Sequence, residues 1–154
     1  MRVEANLGIS VAPDNGCLGE EILKAAAIAL RKAKKDESSN CLFFNDDMEK
    51  EAEQRMRMES ELWVALEKEE FELHYQPKVC LKSGEVIGME ALVRWNKPDS
   101  GLVRPDLFIP LAEETGIIVP MGKWILKEAC RQTKRWVDAG YTLKVAVNLS
   151  VKQF

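Results

Sequence analysis

Glu90 and Arg94 are two full charges placed four residues apart in VIGMEALVRW, a segment that otherwise reads as a buried strand. At a period of two, Ile87, Met89, Ala91, Val93 and Trp95 make one face, and it is wholly apolar. Val86, Gly88, Glu90, Leu92 and Arg94 make the other. The last strand-like segment, YTLKVAVNLSV, has the same construction. Leu143, Val145, Val147, Leu149 and Val151 share an apolar side, while Thr142, Lys144, Ala146, Asn148 and Ser150 share the polar one. Glu90 and Asn148 supply side-chain oxygens, the donors that hard divalent cations prefer. Arg94 supplies a planar fork suited to phosphate. A cation beside an arginine fits a phosphoryl ligand, with the metal polarising it and activating water. The competing reading is the charged face of a half-buried antiparallel strand, turned toward water.

What covers the apolar faces chooses between these readings. The segment GKWILKEACRQTKRWVDAG predicts an amphipathic helix ending at Gly140, with Trp124, Ile125, Trp136 and Val137 available to lie on a sheet. If helices cover the apolar side, the polar side faces inward, as in a parallel barrel whose site lies at the C-terminal ends of its strands. Glu90 and Arg94 then stand about 13 Å apart along the strand. They cannot easily neutralise each other, so each needs another partner.

Further upstream, RVEANLGISV alternates, with Val3, Ala5, Leu7, Ile9 and Val11 on one face, which predicts a strand with one buried side. A Pro-, Asn- and Gly-bearing loop follows. EEILKAAAIALRKAKK then predicts a helix with acids in its first turn and lysines in its last, which suits the helix dipole. Its apolar stripe is Ile22, Leu23, Ala26, Ala27, Leu30 and Ala33, and NCLFF is a short candidate strand. Asp46 to Glu70 is a charged helical run in which Met48, Ala52, Met56, Leu62, Trp63 and Leu66 recur near every fourth position. Its charges read as a solvated face. FELHYQPKV and the Val86–Trp95 segment predict two strands joined by a Lys-Ser-Gly-Glu turn. After a loop, Asp106 to Thr115 predicts a short helix with Gly116 as its C-cap. The order of helix, strand, strand, helix, helix, strand is that of an α/β fold with crossovers.

A net charge of −3 without a basic, aromatic-interleaved stripe argues against a DNA or RNA partner. No run approaches the roughly 18 apolar residues of a membrane span, and the N-terminus lacks the apolar block of an export signal. Cys17, Cys41, Cys80 and Cys130 form no CxxC pair. That predicts reduced, partly buried thiols in a cytoplasmic protein and not a zinc site. His74 is the one histidine, so no histidine triad can be assembled.

EALVRW at 90–95 resembles the signature of the EAL family, phosphodiesterases that hydrolyse the bacterial messenger cyclic di-GMP. FELHYQPKV at 71–79, FIPLAEETGII at 108–118 and VNLSVKQF at 147–154 resemble the family's successive blocks, in order. The stretch through about Phe44, with NLGISVAP and AAAIALRKAK, resembles the C-terminal end of a GGDEF (diguanylate cyclase) domain. The resemblance implies three segments: a GGDEF tail over 1–45, a linker and first EAL helix over 46–70, and the N-terminal part of an EAL domain over 71–154. It implies an incomplete TIM-like (β/α) barrel preceded by the last strand–helix–strand of a GGDEF α/β domain. Glu90 and Asn148 would be ligands to magnesium or manganese. Arg94 would hold a phosphate of cyclic di-GMP, Leu92 and Gln76 would line the nucleotide site, and Glu113 would stand at its edge. Tyr75, Trp95 and Trp124 read as packing residues.

Departures from the family pattern limit the activity to be expected. The GGDEF signature is absent, and Ala27 and Arg31 stand where the family often has Asp and Tyr, which excludes cyclase activity. From Asp46 the chain runs about 109 residues, against roughly 250 for an eight-stranded barrel. The family's further acidic metal ligands, paired aspartates and catalytic lysine and glutamate lie beyond Phe154. No complete catalytic set is therefore present, and the chain is expected to be inactive alone. A non-catalytic cyclic di-GMP-binding segment, and an interaction segment that forms a homodimer through the EAL part or the linker helix, stand as alternatives.

Overall fold

Lys82, Ser83, Gly84 and Glu85 close a tight turn in which Gly84 N donates to Cys80 O and Cys80 N to Glu85 O, at 2.8 and 2.9 Å. The turn sits within the connection between β3 (Phe71–Val79) and β4 (Val86–Lys97), which pair antiparallel. The computed structural model describes residues 5–36, 38–98 and 100–154. Two compact units divide the chain, Met1–Arg57 and Met58–Phe154.

In the second unit the hairpin is the frame of a four-stranded sheet. Its register sets Gln76 opposite Glu90, His74 opposite Leu92 and Glu72 opposite Arg94. A short strand that the sequence pattern does not predict, β5 (Gly101–Val103), pairs antiparallel with the end of β4. The last strand, β6 (Lys144–Val147), pairs parallel with Gly88–Ala91. Gly88 makes this pairing possible, because a Cβ there would lie 2.8 Å from the Lys144 carbonyl oxygen.

The turn-joined strands form the expected hairpin, and among the described residues β4–β6 is the parallel pair of this sheet, beside the antiparallel β3–β4 and β4–β5. The cause is connection length. A tight turn can return only an antiparallel neighbour, whereas β4 and β6 are joined through α3 (Pro105–Thr115) and α4 (Ile118–Asp138), the crossover a parallel pair needs. Gly116, at φ 80°, ends α3 in the left-handed conformation expected of a C-cap.

Both helices cover the apolar face of the sheet. Phe71 and Trp95 are buried there with Phe108, Leu111 and Ala112 of α3 and with Ile117, Ile118, Met121 and Ile125 of the α4 region. Leu62 and Ala65 from the later part of α2 (Asp46–Glu67) join the same core. Phe71, Trp95 and Phe108 meet at ring-centroid distances of 5.8 to 5.9 Å. The buried indole of Trp95 donates to Glu70 Oε2 at 3.0 Å, so its one polar atom is satisfied. Truncating a side chain this enclosed costs about 3–5 kcal/mol. Trp124 packs 6.2 Å from Phe71, and Tyr75 meets Trp136 edge-on at 4.8 Å. These aromatics pack, as the sequence predicts. Val137, expected to help cover the sheet, is exposed.

In the first unit β1 (Leu7–Ile9) and β2 (Cys41–Phe43) pair parallel, with α1 (Gly19–Ala33) as the crossover. Part of the predicted first strand, Arg2 to Glu4, lies outside the described residues. The strand's expected buried side is corrected: Leu7 and Val11 are exposed, and α1 approaches on the Gly8 side, where a Cβ would overlap the Ala26 and Leu30 backbone. The predicted stripe on α1 is corrected in part, since of its members Ala33 is buried as expected. Ala25, Ala29 and Ala33 are the buried residues of the helix, while Leu23 is 72% exposed and Ala27 is also exposed. Small residues at every fourth position let a helix pack closely. In α2, Met48 is buried as expected, but Met56 and Trp63 are exposed. The cysteines are free: Cys17, Cys41 and Cys130 are exposed, not partly buried, and Cys80 is half-buried.

Candidate functional site

The polar face of the β3–β4–β6 sheet carries the candidate residues. Strand alternation puts Glu90, Leu92 and Arg94 on it from β4, and Gln76 and Lys78 from β3. Parallel pairing sets Glu90 beside Ala146, so Asn148 follows on the same face two residues later. Asn148 Nδ2 donates to Glu90 Oε1 at 2.9 Å. The other oxygen, Oε2, takes Lys78 Nζ at 3.2 Å. Asn148 first, and Lys78 second, hold the Glu90 carboxyl below its usual 4.5, so it is ionised near neutrality.

Arg94 is half-buried, and its Nη1 donates to the Val93 carbonyl at 2.9 Å. It therefore does not pair with Glu90, as the spacing along the strand requires. Leu92, Arg94, Glu113 and Asn148 line one cavity of about 260 Å³, together with Ser150 and Gln153 and, from the core side, Val93, Ile118 and Ile125, so its wall is largely apolar. Glu113 reaches it from α3, and its backbone carbonyl accepts from Lys152 Nζ at 2.9 Å. Four of the six candidates thus converge on one hollow. Glu90 is tied to it through Asn148. Gln76 is directly opposite Glu90 in register, exposed, and outside the cavity lining.

Two participants are not among the residues the sequence singles out. Lys78 shares a face with Gln76 by simple alternation, and that signal is present in the sequence. Gln153 belongs to a Ser-x-x-Gln capping box over Ser150–Gln153, a pattern also visible in the sequence.

Glu90 and Asn148 fit part of a hard-cation site. The carboxylate is ionised and open to solvent on one side, and the Asn148 amide beside it presents an oxygen if it turns. Among the described residues, no group of three or more His, Cys, Asp or Glu side chains converges in a way that could hold a metal.

The EAL domain profile matches residues 59–154, which is more than half of the chain. The chain belongs to the EAL family. It is 42% identical over its whole length to the bifunctional diguanylate cyclase/cyclic di-GMP phosphodiesterase MucR of Pseudomonas aeruginosa, covering 23% of that protein. It is 44% identical over 94% of its length to the cyclic di-GMP phosphodiesterase NbdA of the same organism, covering 18% of it. The chain thus spans about a fifth of the length of these relatives. Among solved structures, the PaMucR phosphodiesterase in its c-di-GMP complex matches 61% of the chain at 50% identity, with a TM-score of 0.59 and 38% of that structure covered. The Xanthomonas citri FimX EAL domain, also in complex with c-diGMP, matches 64% of the chain at 27% identity, with a TM-score of 0.55 and 38% of it covered. In this EAL chain no helix of the described residues is long and apolar enough to cross a membrane.

Proposed function

We propose that this chain carries one wall of a cyclic di-GMP phosphodiesterase site. Glu90 and Asn148 supply two ligands to magnesium or manganese, and Arg94 holds a phosphate. Leu92 and Gln76 line the nucleotide site, and Glu113 stands at its edge. The observation that carries the reading is the Asn148–Glu90 contact: residues 58 positions apart meet on an open polar face beside a hollow that Arg94 also lines. The names of MucR and NbdA support the substrate. A bound divalent ion would polarise a phosphoryl oxygen and lower the pKa of a bound water. The chain's own residues orient that ion and the phosphate, and the helix-covered sheet keeps the wall rigid.

In this reading, residues 1–45 are the tail of a GGDEF domain, 46–70 a linker helix and 71–154 the opening part of an incomplete EAL barrel, all in the cytoplasm. Support for the first segment is the whole-length match to a bifunctional relative. Two donors are too few to complete a two-metal clamp, so the isolated chain binds without hydrolysing. That same shortfall favours a second reading, in which the segment senses cyclic di-GMP and does not cleave it.

Incubating the purified chain with cyclic di-GMP and Mg²⁺ or Mn²⁺ tests the division between binding and chemistry. No linear pGpG should form. Metal-dependent pGpG that disappears in Glu90→Ala would show that the chain is catalytically complete.

A further inference from the structure

The β4–β6 ladder ends at Ala91 opposite Val147, so Asn148 stands one residue beyond the last paired position. Something other than the sheet must hold its backbone if its amide is to rest on Glu90. The turn after it does this. Ser150 N donates to Gln153 Oε1 at 2.8 Å, and Ser150 Oγ accepts from Lys152 N at 3.3 Å. The Gln153 side chain in turn lies flat on α4 at Gly122, where any Cβ would overlap its amide. Lys152 Nζ ties the same turn to the Glu113 carbonyl of α3 at 2.9 Å. Gly122 is buried within a 21-residue helix, where a glycine weakens the helix relative to alanine.

We propose that Gln153, seated on Gly122, is a positioning residue for Asn148, fixing the segment that carries the amide to Glu90. Its consequence for metal binding rests on the reading of Glu90 and Asn148 as ligands; the positioning itself does not. The simpler alternative is a capping box that closes one short turn and matters to nothing beyond it.

Three variants of the full chain separate these. Gln153→Leu keeps the bulk and removes the acceptor, Gln153→Glu keeps the acceptor, and Gly122→Ala keeps Gln153 but fills its seat. The first readout needs neither metal nor nucleotide: the ¹⁵N order parameter of the Asn148 side-chain amide and its NOE contact with Glu90. Order should fall in Gln153→Leu and Gly122→Ala and return in Gln153→Glu. The second readout is Mn²⁺ broadening of Glu90 and Asn148 resonances, which should require about tenfold more Mn²⁺ in the two disordered variants, the low end for a ligand's supporting partner. Should Gln153→Leu fail to fold, Gly122→Ala carries the test, since alanine favours the helix. Wild-type order in Gln153→Leu or Gly122→Ala overturns the proposal, and so does Gln153→Glu behaving like Gln153→Leu. Lost order in a protein that binds no Mn²⁺ even as wild type upholds the positioning and sinks the ligand reading instead.

Discussion

Asn148 Nδ2 stands 2.9 Å from Glu90 Oε1, across 58 positions of sequence. Glu90 lies in β4 and Asn148 directly follows β6, and they meet because β6 pairs parallel with β4 in one register, Glu90 beside Ala146. Lys78 occupies the carboxylate's other oxygen from the opposite neighbouring strand. The Glu90 carboxylate is thus held by donors from both sides of its own strand.

Cation binding should respond in opposite directions to the two sides of this arrangement. Glu90→Ala removes a proposed ligand and should weaken Mn²⁺ binding by at least the roughly 10–100-fold that a supporting partner costs. Lys78→Met removes a competing ammonium and should tighten it severalfold, with little change in melting temperature, because exposed ion pairs contribute little to stability. Water-proton relaxation with Mn²⁺ measures both. Equal affinities in wild type and Glu90→Ala would place the cation elsewhere.

The two faces of β4 should separate stability from binding. Val93 packs against the buried core, so Val93→Asp puts an unpaired carboxylate beneath helices and should abolish the cooperative thermal transition. Arg94→Ala should leave that transition in place. In a complete EAL domain carrying these residues, it should weaken cyclic di-GMP binding by about 1.5–3 kcal/mol, as for a hydrogen bond to a charged group. Melts and titrations on both variants decide the matter: an unfolded Arg94→Ala beside an unaffected Val93→Asp would reverse the faces.

Acid should erase the contribution of Glu90. Its folded pKa lies below the ordinary 4.5, so the unfolded chain binds this proton more readily. The stability it contributes is complete above about pH 4.5 and is lost as pH falls through the lower folded value. The difference in urea midpoint between wild type and Glu90→Gln should therefore be constant at neutral pH and shrink below that point. A difference that grows on acidification would contradict the assigned donors.

Tyr75 offers a test in the opposite sense. Its hydroxyl is buried without a hydrogen-bond partner among the described residues, and burial pushes its pKa above 10. Tyr75→Phe removes an unsatisfied group while keeping the edge contact with Trp136, and should stabilise the fold by about 1 kcal/mol. At high pH the native wild type resists ionising this phenol, so its stability declines as the unfolded tyrosine titrates near pH 10; the variant should lose that part of the decline. Chemical denaturation at pH 7 and pH 11 checks both effects.

Much of the frame was legible because a strand has only two faces. Alternation assigned Val93 and Trp95 to one side of β4 and Glu90 and Arg94 to the other, and burial of Trp95 agrees. The hairpin turn and the Gly116 cap followed from local backbone chemistry. Helices were harder: α1 is apolar around more than one arc, so periodicity found Ala33 but did not choose Ala25 and Ala29 over Leu23 and Ala27. Strand β5 is three residues long and has no internal period to read.

By itself the sequence determined the chemical types available, the faces they occupy along each strand and the motif order by which the family is known. The tertiary structure decided which residues meet. Register is a long-range choice, in which a slip of one residue would turn Asn148 away from Glu90. The approach of β6 depends on Gly88 meeting Lys144, the pairing of Lys78 with Glu90 depends on the hairpin register, and the hold on Asn148 depends on Gln153 finding Gly122. Each of these contacts joins separate segments of the chain, and none is encoded within any one of them.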